Sequence, residues 1–339
     1  MHFILPLLTA CSLLLSGCAS SAPISPVSVP EGTIRVHFID VGQADSILIQ
    51  CDQQNMLIDA GNNDDGPLVV DYLQQQGVQQ LQYVIGTHPH EDHIGGLDDV
   101  LDSFPVEQVL LPPVDSTTRT YEEVLDSIEK QELEITVPQI GETYPLGDAL
   151  FTILSPGKQN YSSLNDWSIV GRLSYGQTSF LFMGDAEQTV EEEILRQEGT
   201  VASDVLKLGH HGSNTSSSQA FLEAVSPAFG VISCGTNNDY GHPHQEILDR
   251  CEALGIDLYR TDEQGTLVVS SDGQQLTWNT TPIQSSAPGD TPAQVVVTPS
   301  GKKYHRPDCG LIRKSQTTSM SKDEAVAQGY APCQSCKPE

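Results

Sequence analysis

One hexapeptide constrains this chain more than any other feature. It is His88-Pro89-His90-Glu91-Asp92-His93, set directly after the apolar run Val84-Ile85-Gly86-Thr87. Such a run reads as a buried strand. A strand that ends in three imidazoles and two carboxylates delivers them to one small volume. Neutral imidazole and carboxylate are the ligands that zinc, manganese and iron take. Groups this polar cannot be buried together as ordinary core, so the loop reads as a metal site. Gly95-Gly96 follows, where missing side chains let backbones approach closely.

Charge restricts the partners. The chain has 339 residues, 16 Lys+Arg against 45 Asp+Glu, and a net charge of −29. Residues 301–339 carry +3, which leaves −32 on residues 1–300. A protein that grips nucleic acid by electrostatics shows a basic face. The body lacks one, so metal ions or the basic tail must supply any local attraction. The length suggests two domains, or one large domain with an appendage. At 38% hydrophobic residues the chain is no disordered acidic tail. Nothing beyond residue 20 is long and apolar enough to span a bilayer, which excludes a polytopic membrane protein.

Residues 3–15 form a short apolar run that fits a signal-peptide core. It ends in Leu15-Ser16-Gly17-Cys18, which resembles the bacterial lipobox. That resemblance implies cleavage before Cys18, a lipid on its thiol, and an extracytoplasmic protein whose only membrane contact is this anchor. The plain alternative is an ordinary secretory peptide. The expected organisation is a leader at 1–18, a tether at 19–31, a body at 32–279, a linker at 280–299 and a small module at 300–339. Within the body, strands are expected at 34–41, 46–50, 55–59, 82–87, 108–111, 150–154, 168–175, 179–183, 205–208, 229–233 and 266–270. Helices are expected at 67–76, 97–103, 120–131, 186–198, 217–225 and 244–254. Strands and helices mixed in this way argue for layered α/β architecture.

The H-x-H-x-D-H pattern of residues 88–93 resembles the metallo-β-lactamase superfamily. Three further motifs agree in order: Leu57-Ile58-Asp59-Ala60-Gly61, Phe182-Met183-Gly184-Asp185 and Leu208-Gly209-His210-His211-Gly212-Ser213. The resemblance implies an αββα sandwich with two divalent transition metals, zinc or manganese. His88, His90 and Asp185 would hold one metal. Asp92, His93, Asp185 and one of His210 or His211 would hold the other. Asp59 would support the metal loop by hydrogen bonding. Such a site makes hydroxide available at neutral pH.

A narrower resemblance is to the hydrolase domain of ComEC-type DNA-uptake proteins. It rests on the run from His37 to Ser46, on residues 210–217, and on Tyr240-Gly241-His242-Pro243-His244. It implies a phosphodiesterase or DNase, with DNA or another phosphodiester as substrate. No His lies between His93 and His210; Asn165-Asp166-Trp167-Ser168 stands there instead. One metal site is therefore expected to be weaker, richer in oxygen or completed by water, with Asn165 and Asp166 near it. Ser213 and Thr215 are candidate phosphate contacts. His242 reads as a general acid or phosphate contact, or as a surface-loop histidine. Asp40 and Asp45 read as site-lining or turn residues. Two other readings stay open: hydrolysis of an extracellular ester, lactone or phosphocholine group, and a non-enzymatic DNA-binding surface lipoprotein.

The tail holds a second ligand pattern: His305, Cys309, and the Cys333-x2-Cys336 knuckle. Three thiolates and one imidazole complete a tetrahedral structural zinc site. About 40 residues build little core, so a metal staple is reasonable. The tail also resembles the Ada-like zinc modules appended to some secreted bacterial nucleases. A disulfide is the alternative, although three cysteines leave one over. Cys51, Cys234 and Cys251 are scattered and read as buried apolar residues.

Overall fold

The computed structural model describes residues 30–158, 160–283, 294–299, 301–306, 309, 311–312, 317–333 and 336. The leader with Cys18 and nearly all of the tether lie outside the described residues.

Two sheets are built in chain order. β1 (Ile34–Phe38), β2 (Ser46–Cys51) and β3 (Gln54–Ala60) form an antiparallel meander. β4 (Leu81–Ile85), β5 (Val106–Leu110) and β6 (Ile135–Thr136) then add parallel to β3. Parallel neighbours need crossovers. These are α1 (Gly66–Gln75), α2 (Glu91–Ile94) with α3 (Leu97–Ser103), and α4 (Arg119–Lys130). The second sheet repeats the plan. β7 (Thr143–Leu146), β8 (Ala149–Ser155), β9 (Val170–Tyr175) and β10 (Thr178–Phe182) are antiparallel. β11 (Val205–Lys207), β12 (Phe229–Ile232) and β13 (Asp257–Arg260) follow in parallel. Their crossovers are α5 (Gln188–Ile194), α6 (Gln219–Val225) and α7 (Gln245–Ala253). β14 (Leu267–Ser271) and β15 (Leu276–Trp278) return to the first sheet beside β1.

Strand alternation explains the layers. In β10, Phe180 and Phe182 point between the sheets, where they meet Phe38, Ile58 and Phe151. Leu181 points the other way, onto Val190, Phe221 and Ile247 beneath α5 to α7. In the first sheet, Leu57, Val84 and Val109 face outward onto Val69, Leu97 and Val124 of α1, α3 and α4. Central strands covered on both faces must be apolar throughout, as these are. The result is an αββα metallo-β-lactamase sandwich with two mixed sheets.

Boundaries differ where a turn intervenes. The strand expected at 34–41 stops at Phe38, because Asp40 Oδ1 accepts the Gly42 N–H and Gly42 turns at φ 70°. The strand expected at 168–175 begins at Val170, because Asn165–Trp167 forms a tight 3-10 turn just before it. The helix expected at 186–198 is confined to Gln188–Ile194.

A separate four-stranded sheet forms in the tail. It contains β16 (Gln294–Val297), β17 (Lys303–His305), β18 (Thr318–Ser321) and β19 (Ala331–Pro332), with a short helix at Lys322–Ala327. β16 corrects the linker expected at 280–299: Val295-Val296-Val297 is a β-branched run and pairs with both β17 and β18. Among the described residues, no helix is long and apolar enough to cross a membrane.

Candidate metal centre

The expected site residues follow the parallel strands of both sheets. His88 to His93 come after β4, Asp185 after β10, His210 and His211 after β11, and His242 after β12. Loops at the carboxyl ends of parallel strands open a crevice that side chains can line. Close packing shapes the turns. A Cβ on Gly95 would stand 2.3 Å from the backbone carbon of Asn62. Gly184, at φ 52°, swings Asp185 off the end of β10. His210 and His211 both take positive φ, 49° and 53°, a region that disfavours side chains. The His210 N–H bond to the Gly184 carbonyl, at 3.0 Å, helps to hold them there.

Two ligand groups share Asp185. Asp92, His93, Asp185 and His211 offer atoms within 4.8 Å of one another, and so do His88, His90 and Asp185. His93 Nε2 and His211 Nε2 stand 3.2 and 3.6 Å from Asp185 Oδ1. His211 Nε2 is also 3.4 Å from Asp92 Oδ2. On the other side, His88 Nε2 lies 3.9 Å and His210 Nε2 3.7 Å from Asp185 Oδ2. His88 Nε2 and His90 Nδ1 are 2.9 Å apart. The choice between the adjacent histidines is thus geometric: His211 joins Asp92 and His93, and His210 borders the His88 group.

These residues fit divalent cations. His93 Nε2, His211 Nε2 and Asp185 Oδ1 are buried, face one another, and make no hydrogen bond to any described residue. Buried polar atoms are ordinarily paired, so three converging lone ones mark a place for a bridging ion. The nitrogen and oxygen donor set suits zinc or manganese. Charge agrees. Burial opposes a proton on His93, yet the carboxylates of Asp185, Asp59 and Asp92 raise its pKa well above the ordinary value. His211 is raised against burial by Asp185 and Asp45. Burial would raise Asp185, but His93 and His211 hold it well below the carboxylate range. Burial, helped by the charge on His93, keeps His88 neutral.

An outer layer aims these groups. Asp59, itself at φ 59°, accepts from Thr87 N, Thr87 Oγ1 and His93 Nδ1, each at 2.8 Å. His93 therefore turns Nε2 toward Asp185. His211 Nδ1 is fixed by the Ser233 carbonyl at 2.9 Å. Ser168 Oγ accepts the Asp185 N–H at 3.1 Å. Sequence reasoning missed Thr87, Ser168, Ser233 and Lys207. Lys207 is wholly buried and donates to Asp45 Oδ2 at 2.8 Å. Its one sequence signal is a lone charge inside the apolar run Val205-Leu206-Lys207-Leu208.

The remaining expected residues separate. Asp45 lies behind His211, and Asp40 lies in the turn before Gly42. Asn165 Nδ2 reaches to 3.5 Å from His210 Nδ1, whereas Asp166 Oδ1 turns to the Glu187 N–H. Ser213 and Thr215 sit behind His210: Thr215 Oγ1 is 3.0 Å from its Nδ1 and 3.2 Å from Ser213 Oγ. His242 lines a cavity of about 320 Å³ together with His90, Asp92, Asp185, His211 and Tyr240. Burial, then the neighbouring histidines, lower its pKa to about 4. In the tail, His305, Cys309, Cys333 and Cys336 offer ligand atoms within 4.8 Å of one another. Cys51, Cys234 and Cys251 are all buried.

The fold and the site define a class: an α/β protein built around a histidine–aspartate metal centre. The chain belongs to the metallo-beta-lactamase superfamily, which its residues 39–236 match. It is 31% identical over 262 residues to ComE operon protein 3 of Bacillus subtilis, covering 72% of this chain and 34% of that protein. It is 33% identical over 257 residues to competence protein ComA of Neisseria gonorrhoeae, covering 75% and 34%. It is 30% identical over 243 residues to recombination protein 2 of Haemophilus influenzae, covering 70% and 29%. The chain spans about a third of the length of these relatives.

Proposed function

We propose that this protein is a surface-tethered, metal-dependent phosphodiesterase that cuts DNA outside the membrane. The carrying observation is the pair of ligand groups joined at Asp185. Relationship to competence and recombination proteins supports DNA as the substrate. His88, His90 and Asp185 would hold one cation; Asp92, His93, Asp185 and His211 would hold the second. Such cations, when bound, acidify water to a pKa of about 7 and offset phosphoryl charge.

The chain's own residues supply the rest. Gln43 Oε1 accepts the Gly235 N–H at 3.0 Å, which fixes the amide so that its Nε2 faces His242 Nδ1 at 3.4 Å. His242 Nδ1 is therefore the acceptor, and the neutral ring carries its proton on Nε2. That makes His242 Nε2–H a hydrogen-bond donor to a phosphoryl oxygen. Thr215 and Glu187 set the ring of His210, which with Asn165 closes the oxygen-rich side. Tethering rests on the Leu15-to-Cys18 motif alone. A zinc ion on His305, Cys309, Cys333 and Cys336 would staple the tail, whose net charge of +3 adds a DNA contact.

The test joins metal content to cleavage, on residues 31–339 purified without chelator and beside the Asp92→Ala/His93→Ala variant. Two transition metals in the body, one zinc in the tail, and DNA cleavage lost in the variant support the reading. Bound metal without cleavage of single- or double-stranded DNA removes it. One observation favours a second reading, hydrolysis of a small ester, lactone or phosphocholine group: among the described residues no Lys or Arg lines the cavity. Turnover that survives high salt and ignores competing DNA would establish that reading.

A further inference from the structure

Tyr240 stands at the cavity mouth with 68% of its surface exposed. A large aromatic ring with its outer side held in water gains little packing there, so its position asks for an occupant. The loop that presents it is pinned. Asn238 Oδ1 accepts the His242 N–H at 2.9 Å, and Asn238 Nδ2 donates to the Gly235 carbonyl at 2.9 Å. Gly241, at φ 73°, makes the turn between the two rings. The Tyr240 and His242 rings lie at 22° with centroids 5.6 Å apart. His242 in turn meets His210 edge-on, at 75° and 5.5 Å. Tyr240 is thus the outermost ring of a series that ends at the metal cluster.

The cavity wall sharpens the point. Its charged residues are Glu91, Asp92 and Asp185 with histidines, and no described Lys or Arg lines it. Protein cations therefore give a polyanionic strand no affinity at the mouth. A flat ring face supplies affinity without charge, because every base has a π-face to stack. We infer that the Tyr240–His242 ring pair is a nucleobase subsite, seating an unpaired base beside the phosphodiester held at the cluster. The inference rests on the phosphodiesterase reading above and narrows it. Bases inside a duplex already have both faces stacked, so the subsite selects single strands and frayed ends. The subsite itself adds little salt dependence, since phosphate contacts by Lys and Arg set that slope.

The test uses the metal-loaded full chain with Tyr240→Ala, Tyr240→Phe and Tyr240→Trp. On a single-stranded oligonucleotide, Tyr240→Ala is expected to lower kcat/KM by about 5- to 150-fold, and the two aromatic variants to restore it. On the same oligonucleotide made abasic next to the cleaved bond, the difference between the wild type and Tyr240→Ala should disappear. Equal loss on intact and abasic strands, or no loss on either, overturns the subsite. Binding of a labelled phosphorothioate thymidine 12-mer is measured on all four proteins, so that the subsite is judged apart from turnover. Weaker binding in Tyr240→Ala alone supports it, and unchanged binding overturns it. A wild-type protein that cuts no nucleic acid removes the phosphodiesterase reading, and binding then decides the subsite by itself.

Discussion

Lys207 Nζ donates to Asp45 Oδ2 at 2.8 Å, and neither side chain reaches solvent. The pair sits directly behind the ligand cluster, with Asp45 Oδ1 3.5 Å from His211 Nδ1. The Asp45 N–H also bonds the Asp92 carbonyl at 3.0 Å, and the Asp45 carbonyl accepts from Gly61 at 2.9 Å. One aspartate therefore joins the first sheet, the metal loop and the second sheet. Two buried charges survive there because each neutralises the other.

Breaking this pair on one side should be severe. Lys207→Met leaves the Asp45 carboxylate buried and unmatched, and should destabilise the protein by about 3–5 kcal/mol. The double variant Asp45→Asn/Lys207→Met removes both charges and should recover part of that loss. Urea unfolding of the wild type, both single variants and the double variant measures the coupling. Additive losses would mean that the two side chains act independently.

Asp59 should govern metal affinity from outside the ligand set. Its carboxylate holds Thr87 and His93 together through three bonds of 2.8 Å. An amide in its place presents an N–H where only acceptors serve. Asp59→Asn is expected to weaken metal binding by about 10- to 100-fold while the far-ultraviolet spectrum stays native. Competition with a chromophoric chelator reads the affinity, and an unchanged constant would remove Asp59 from this role.

Legibility in the sequence follows contiguity. His88 to His93 are readable because one loop holds them all, and Phe180-Leu181-Phe182 because strand alternation buries both faces. The choice between His210 and His211 is not readable. Neighbouring residues diverge according to backbone angles, and both take a positive φ that composition does not announce. Lys207 is hidden because its partner Asp45 lies 162 positions away. β6 has only two residues, and β7 is four long and contains Pro145, so neither shows a clear period. β16 is obscured by the Pro/Ser/Thr-rich stretch that precedes it.

Metal binding should release protons. His93 and His211 are held protonated above the ordinary histidine range, against burial, by the carboxylates around them. A metal takes neutral imidazole, so each of these protons must leave. Affinity should fall on acidification by about one decade per pH unit for each proton displaced. Calorimetric titration in two buffers of different ionisation enthalpy counts those protons. Identical heats in both buffers would show that the histidines were already neutral.

His37 should make the fold acid-sensitive independently of any metal. It is buried in β1, with Nδ1 2.8 Å from Tyr72 Oη, and its Nε2 meets no described hydrogen-bond partner. Burial, then the charge on Arg35, lowers its pKa from 6.5 to about 3. Above pH 6.5 neither the folded nor the unfolded chain carries this proton, and His37 costs nothing. As the pH falls from 6.5 toward 3, the unfolded chain takes up a proton that the folded chain refuses. Stability is therefore lost with falling pH, by about 3 kcal/mol near pH 4.5 from this residue alone. His37→Gln keeps a polar group near Tyr72 and removes the titration. Urea unfolding of both proteins at neutral pH and near pH 4.5 isolates the effect, because their other titrating groups cancel. The variant should lose about 3 kcal/mol less than the wild type on acidification. Parallel losses would show that His37 is reached by protons without unfolding.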